Sequence, residues 1–199
     1  MYGIMIYDGV EPIDIGATFG VLSMARRMCP GLQFAGVAQN KGVVRCANGL
    51  EVIAQYGFKD APDFDDLIVT GGPGWRDAAA DAETLAYLRS SPSRLTAICT
   101  GAMILAASGR LHDRRATTKS EVFDGEVSPL AELSKTLHTT RAAVVDDRDI
   151  VTSGGVTLGI DAVFYCLARS HGQAVADETA RVMEYQRALR VNKEELGYG

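Results

Sequence analysis

Three short apolar runs constrain this chain more than any other feature. Ile4-Met5-Ile6, Leu67-Ile68-Val69 and Leu95-Thr96-Ala97-Ile98 show none of the apolar–polar alternation of a half-wet strand. Strands of that kind need cover on both faces, as helices packed on a parallel sheet supply. The intervening segments carry helical spacing, as in Ile15, Phe19 and Leu22 after Pro12. Together these patterns predict an α/β fold in one domain, a mostly parallel sheet with helices on both faces, flavodoxin-like in plan. Expected strands span Gly3–Tyr7, Leu32–Ala38, Asp66–Thr70, Leu95–Ile98, Arg115–Thr118, Ala142–Asp146 and Ile150–Thr152. Expected helices run from Pro12 to about Arg27, Asp77 to Ser90, onward from Thr100, Thr157 to Arg169, and Gln173 to Ala188. Val43-Val44-Arg45 and Leu50 to Ile53, around Ala47-Asn48-Gly49, read as a hairpin. No repeat or linker interrupts the 199 residues, so one domain over 1–199 is expected, with no residues left for a second module.

Charge narrows the function classes. Lys and Arg total 20 against 25 Asp and Glu, a net charge of -5. Nucleic-acid binding rests largely on neutralising phosphates, so such a partner is not expected. No window approaches the roughly 18 apolar residues of a membrane span, and the N-terminus lacks a basic and apolar leader. A cytoplasmic protein with no membrane partner is expected. The four cysteines, at 29, 46, 99 and 166, form no CxxC pair, and His112, His138 and His171 are scattered. Neither a metal nor a cofactor is expected. A dinucleotide fingerprint would need glycine three positions after Gly74, where Asp77 stands.

Open α/β sheets bind ligands beyond the carboxyl ends of their strands. Three features fall at such ends. Cys99 lies where an apolar strand stops and an Ala- and Leu-rich helix starts, with Gly101 two residues on. By itself a cysteine is usually a buried packing residue. A strand-Cys-x-Gly-helix turn instead projects one side chain, as a nucleophile elbow does, and the helix N-terminus is expected to favour thiolate. Cys29, Cys46 and Cys166 lack that context and read as packing thiols. Gly71-Gly72-Pro73-Gly74 is either a simple turn or a source of backbone donors; Pro73 has no N–H, which leaves Gly72 and Gly74. Asp14, amid Pro12-Ile13 and Ile15-Gly16, is a helix-start acid by itself. Beside a cysteine it becomes an acid–base partner whose proton is retained by burial. Asp161 reads as a dipole-complementing acid at a helix start.

At this point the motifs resemble the DJ-1/PfpI superfamily. The resemblance rests on Ile13-Asp14, Val69-Thr70-Gly71-Gly72-Pro73-Gly74, Ala97-Ile98-Cys99-Thr100-Gly101-Ala102, Arg115-Ala116-Thr117-Thr118 and Ser153-Gly154-Gly155 through Asp161. They occur in order over nearly the whole chain. The Asp14 and Cys99-Thr100-Gly101 combination is most similar to isocyanide hydratases, and also resembles the amidotransferase-like sensor domains of AraC-type regulators. Proteases of the superfamily carry His directly after the cysteine, where this chain has Thr100. Glutamine amidotransferases need a late His-x-Glu pair, which none of the three histidines supplies. Relatives often carry His after Ala-Thr-Thr; here Lys119 stands there, and a structural or solvent-facing role is expected for it.

The resemblance implies hydration of a small-molecule isocyanide to an N-substituted formamide. Cys99 would attack the isocyanide carbon, Asp14 would protonate it to a thioimidate, and ionised Asp14 would then activate water. Thr100 would hold that water or its own N–H near the sulfur, while Gly72 and Gly74 would serve as backbone donors. Trp75 is the one residue assigned to the pocket wall. The resemblance also implies a homodimer. The alternatives are a ligand- or redox-sensing domain with an oxidisable Cys99, and glyoxalase or deglycase chemistry, disfavoured because the better-known branches of the superfamily usually carry glutamate where Asp14 stands and because Lys119 replaces the usual His.

Overall fold

The computed structural model describes residues 1–198. The strands and helices follow in chain order as β1 (Tyr2–Met5), α1 (Pro12–Ala25), β2 (Phe34–Ala38), β3 (Gly42–Arg45), β4 (Glu51–Ala54), β5 (Tyr56–Gly57) and β6 (Asp66–Val69). Next come α2 (Trp75–Ala80), α3 (Ala82–Ser90), β7 (Arg94–Ala97), α4 (Gly101–Ala107), β8 (Arg115–Ala116), α5 (Pro129–Leu133) and β9 (His138–Thr139). The chain closes with β10 (Val144–Asp147), β11 (Ile150–Ser153), α6 (Gly159–His171), α7 (Gln173–Val182) and α8 (Gln186–Leu196).

Seven strands form one sheet in the order β10-β11-β7-β6-β1-β2-β5, parallel except for the edge strand β10. β1 and β6 are buried at every residue, as their continuous apolar sequence requires. One face packs against α1, α6 and α7, with Val21, Leu22, Val163, Phe164 and Leu167 among the buried residues. The other packs against α2, α3 and α4, around Leu67, Val69, Leu88, Ile104 and Leu105. The expected α/β sandwich is the fold. Chain order reverses between β1 and β6, and the crevice beyond their carboxyl ends is where this topology places a ligand.

Several expectations are corrected. The helix expected over Asp77–Ser90 is two helices, because Asp81 takes an extended conformation and caps α3 by accepting from the Thr84 N–H at 2.7 Å. The expected final helix divides at Glu184, which adopts a positive φ of 56°. Tyr185 then turns inward, and its hydroxyl donates to Asp161 at 2.9 Å. Asp161 does lie in the first turn of α6, but it is fully buried and also accepts from Asn192 at 3.0 Å and Tyr198 at 3.3 Å. It therefore anchors α8 and the segment beyond it. β8 lies outside the main sheet, paired with β9, and β3–β4 forms the separate hairpin the sequence predicts.

Candidate active site

Registers within the sheet decide which loops meet. Val69 on β6 pairs with Ala97 on β7, and Ala97 pairs with Thr152 on β11. Residues just past these strands therefore lie side by side, with Cys99 between Gly71-Gly72 and Gly154-Gly155. The Cys99 backbone has φ 53°, in the left-handed region that L residues avoid. Holding a non-glycine residue there costs about 1–3 kcal/mol, which the surrounding packing offsets. The helix then starts against β6 so closely that a Cβ on Gly101 would stand 2.2 Å from the Val69 carbonyl oxygen. Only glycine fits, which gives the Cys-x-Gly spacing its physical cause. The Thr118 hydroxyl donates to the Cys99 carbonyl at 2.7 Å and fixes the elbow from the other side.

Asp14 arrives from the first turn of α1, whose entry is set by Pro12 at the helix start. The Gly71 N–H donates to Asp14 Oδ2 at 2.7 Å, and the Gly71 carbonyl accepts from the Glu11 N–H at 2.9 Å. Asp14 is fully buried, and its Oδ1 has no hydrogen-bond partner among the described residues. Burial raises its carboxyl to about 7, against the Gly71 N–H, which lowers it; the Glu11 charge also raises it, while Lys119 and Cys99 lower it. The carboxyl can thus hold or release a proton near neutrality.

Burial and then the Asp14 charge push the Cys99 thiol up to about 12. The Thr100 N–H, the Lys119 charge and the Thr100 hydroxyl pull it down by less. The expected thiolate is therefore corrected: desolvation of a 3 % exposed sulfur outweighs the donors at the start of a seven-residue helix.

Thr100 joins the site as expected, through its own N–H toward the sulfur. The glycine donors do not stand as expected. The Gly72 N–H donates to Thr100 Oγ1 at 2.9 Å, and the Gly74 N–H donates to the Gly9 carbonyl at 3.0 Å. Both are committed to shaping the loop, so neither is free for a developing anion. Three further residues gather at the site: Tyr7, Gly155, and Lys119 at the position where relatives often carry His. Tyr7 is coupled by charge to Asp14 and Cys99, and its hydroxyl donates to the Thr70 carbonyl at 3.1 Å. Gly155 faces the sulfur, since a Cβ there would stand 2.7 Å from Cys99 Sγ. Lys119 lies against the same point and lines the cavity that opens over Cys99.

That cavity has a volume of about 790 Å³ and opens over Cys99 and Thr100. Its wall includes Trp75, as expected, with Val122, Phe123, Val127, Pro129 and Val156. Phe123 is 84 % exposed at the rim. Cys46 and Cys166 are buried and Cys29 half-buried, away from this opening. No cluster of three or more metal-ligating side chains occurs among the described residues.

A cysteine held in an elbow beyond a strand, an acid carried by the first helix and a mostly parallel sheet with helices on both faces define a class of α/β proteins. The DJ-1/PfpI family profile matches residues 3–168, and the chain belongs to that family. It is 29% identical over 189 residues to the isonitrile hydratase of Pseudomonas putida, covering 92% of this chain and 76% of that protein. It is also 24% identical over 192 residues to the HTH-type transcriptional regulator GbdR of Pseudomonas aeruginosa, spanning 93% of this chain but 50% of the regulator. Among solved structures, a ThiJ/PfpI family protein from Pseudomonas syringae superposes with TM-score 0.75 at 27% identity, covering 93% of this chain and 74% of that one. Drosophila melanogaster DJ-1beta shares the fold, with TM-score 0.75 at 17% identity over 92% of this chain and 96% of its own.

Proposed function

We propose that this chain hydrates an isocyanide to an N-substituted formamide through Cys99, with Asp14 as the general acid and base. The observation that carries this reading is a protonatable, buried Asp14 beside an elbow thiol at the floor of an apolar-walled cavity. An isocyanide carbon accepts a soft nucleophile and then a proton. Asp14 takes the thiol proton as the sulfur–carbon bond forms, and returns it to the same carbon, leaving a thioimidate. Ionised again, Asp14 removes a proton from water as the hydroxyl adds to that carbon. The nitrogen gains a proton, the carbon–sulfur bond breaks, and the sulfur is reprotonated. The sum is one isocyanide and one water converted to one formamide. Thr100 supports the step through its N–H toward the sulfur.

The test is formamide release from alkyl isocyanides by wild type, Cys99→Ala and Asp14→Asn. Turnover by wild type alone supports the reading, and no turnover by wild type across several isocyanides sinks it. Substituting Phe123→Ala should raise KM for bulky apolar isocyanides with little change in kcat, since the ring only walls the cavity.

A ligand-sensing role is the second reading, favoured by the match to half of an HTH-type regulator. It predicts saturable binding in the Cys99 cavity with no product. Its redox form predicts selective oxidation of Cys99 by mild peroxide with no isocyanide turnover.

We also propose a second copy of the chain as partner. Ile13 and Phe19 on α1, and Val43, Leu50 and Ile53 on the hairpin, are exposed apolar side chains. The loop that leads into α1 is tied to the hairpin by the Gly9 N–H to the Arg45 carbonyl at 2.8 Å and the Ala47 N–H to the Val10 carbonyl at 2.9 Å. Burying such a patch in a dimer stabilises by about 25 cal/mol per Å² of apolar area. Light scattering should report a dimer for wild type and a monomer for the Val43→Glu, Ile53→Glu double variant.

A further inference from the structure

Lys119 sits in a more constrained place than a surface lysine. The Thr117 N–H donates to Thr152 Oγ1 at 2.9 Å, Thr118 holds the Cys99 carbonyl, and the Leu130 N–H donates to the Lys119 carbonyl at 3.0 Å. Its backbone is thereby fixed on both sides of the residue. A Cβ on Gly155 would meet Cys99 Sγ at 2.7 Å, Lys119 Cβ at 3.0 Å and Lys119 Cγ at 3.2 Å, so sulfur and lysine stem flank one point. The side chain then runs along the wall of the Cys99 cavity.

Two other charged side chains on that cavity wall are paired. Arg76 pairs with Glu132 at 2.9 Å and Glu121 with Arg141 at 2.7 Å, whereas Lys119 has no ion pair among the described residues. The charged or titratable groups acting on the sulfur are Asp14 from α1, Tyr7 after β1, and Lys119, with Glu11 acting on Asp14 from the approach to α1. Lys119 is the cation of that set. All the others are acids.

We infer that Lys119 is the cationic partner of Cys99, a positioning residue that stabilises the sulfur anion as the thiol proton leaves. The reasoning is electrostatic. Removing a proton from a buried thiol beside a carboxyl builds negative charge in a poorly solvated place, and one cation on the same cavity wall offsets it. The same charge keeps Asp14 able to ionise, and so to accept that proton. The inference rests on Cys99 being the nucleophile proposed above.

Its test is the pH profile of Cys99 alkylation by iodoacetamide, followed by peptide mass so that the other three cysteines are resolved. Wild type is compared with Lys119→Met, Lys119→Gln and Lys119→Arg, each checked for folding by thermal melt. In the neutral variants alkylation of Cys99 at pH 8 should slow about tenfold and the profile should move upward by about one unit, tenfold per unit. Lys119→Arg should keep most of the wild-type profile, which a packing role for the stem would not predict. Two neutral variants are used so that a misfolded one leaves the other to decide. A profile unchanged in a folded neutral variant overturns the inference, as does an arginine variant that behaves like the neutral ones. Alkylation needs no isocyanide, so a failure of wild type to release formamide would sink the hydratase reading without touching this measurement.

Discussion

Gly71 and Asp14, 57 positions apart, are joined by a 2.7 Å hydrogen bond from the Gly71 N–H to Asp14 Oδ2. This bond pins one carboxyl oxygen at the β1–β6 crevice and leaves Oδ1 buried without a partner. Burial outweighs the donor, so the protonated form is favoured in the fold.

That balance has a consequence for stability. Asp14 moves from 3.8 to about 7 on folding, so its protonated form contributes stability that is complete below pH about 4 and is lost as pH rises toward 7. Asp14→Asn keeps the shape and the acceptor for Gly71 but cannot ionise. It should abolish formamide release while raising stability at pH 8 by roughly 1–3 kcal/mol and flattening the pH dependence between 4 and 7. Thermal melts across pH check it; a lower melting temperature at pH 8 would contradict the assigned ionisation.

Thr100 supplies the acceptor for the Gly72 N–H at 2.9 Å. Thr100→Val leaves that buried donor unpaired, at a cost of about 1–3 kcal/mol. Thr100→Ser restores the hydroxyl and should recover most of the lost stability. Denaturant titration of the two variants reads the difference directly.

Gly155 has no room for a methyl group. Gly155→Ala places a Cβ 2.7 Å from Cys99 Sγ, so the sulfur or the Lys119 stem must move. A displacement of about 1 Å in a reacting group costs on the order of 100-fold in rate. Turnover and Cys99 alkylation should fall together, with the fold retained by circular dichroism. Unaltered kinetics would mean that the sulfur does not react from this position.

Asp161 gathers Tyr185, Asn192 and Tyr198 onto the start of α6. Asp161→Ala should cost about 1–3 kcal/mol through the hydroxyls left unpaired. Hydrogen exchange should show α8 opening first, while the amides of β1 and β6 stay protected.

The alternation of two-face apolar strands with helical segments was enough to read the sandwich and the carboxyl-end location of its site. The Cys99-Thr100-Gly101 elbow and the candidacy of Asp14 were equally legible, because each is a local pattern. Lys119 and Gly155 were not legible as site residues. Their approach to the sulfur depends on β11 pairing with β7 at the register Thr152 to Ala97, and no local pattern encodes a register between strands more than 50 residues apart. The donors of Gly72 and Gly74 were misread for the same reason, since their acceptors, Thr100 and Gly9, come from other loops. The ionisation of Cys99 was misread because the start of a helix is a local property, whereas desolvation is set by everything packed around the sulfur. Sequence alone therefore singled out the elbow cysteine and its candidate acid. Tertiary packing decided their protonation and their partners, because burial and proximity exist only once distant segments share one crevice.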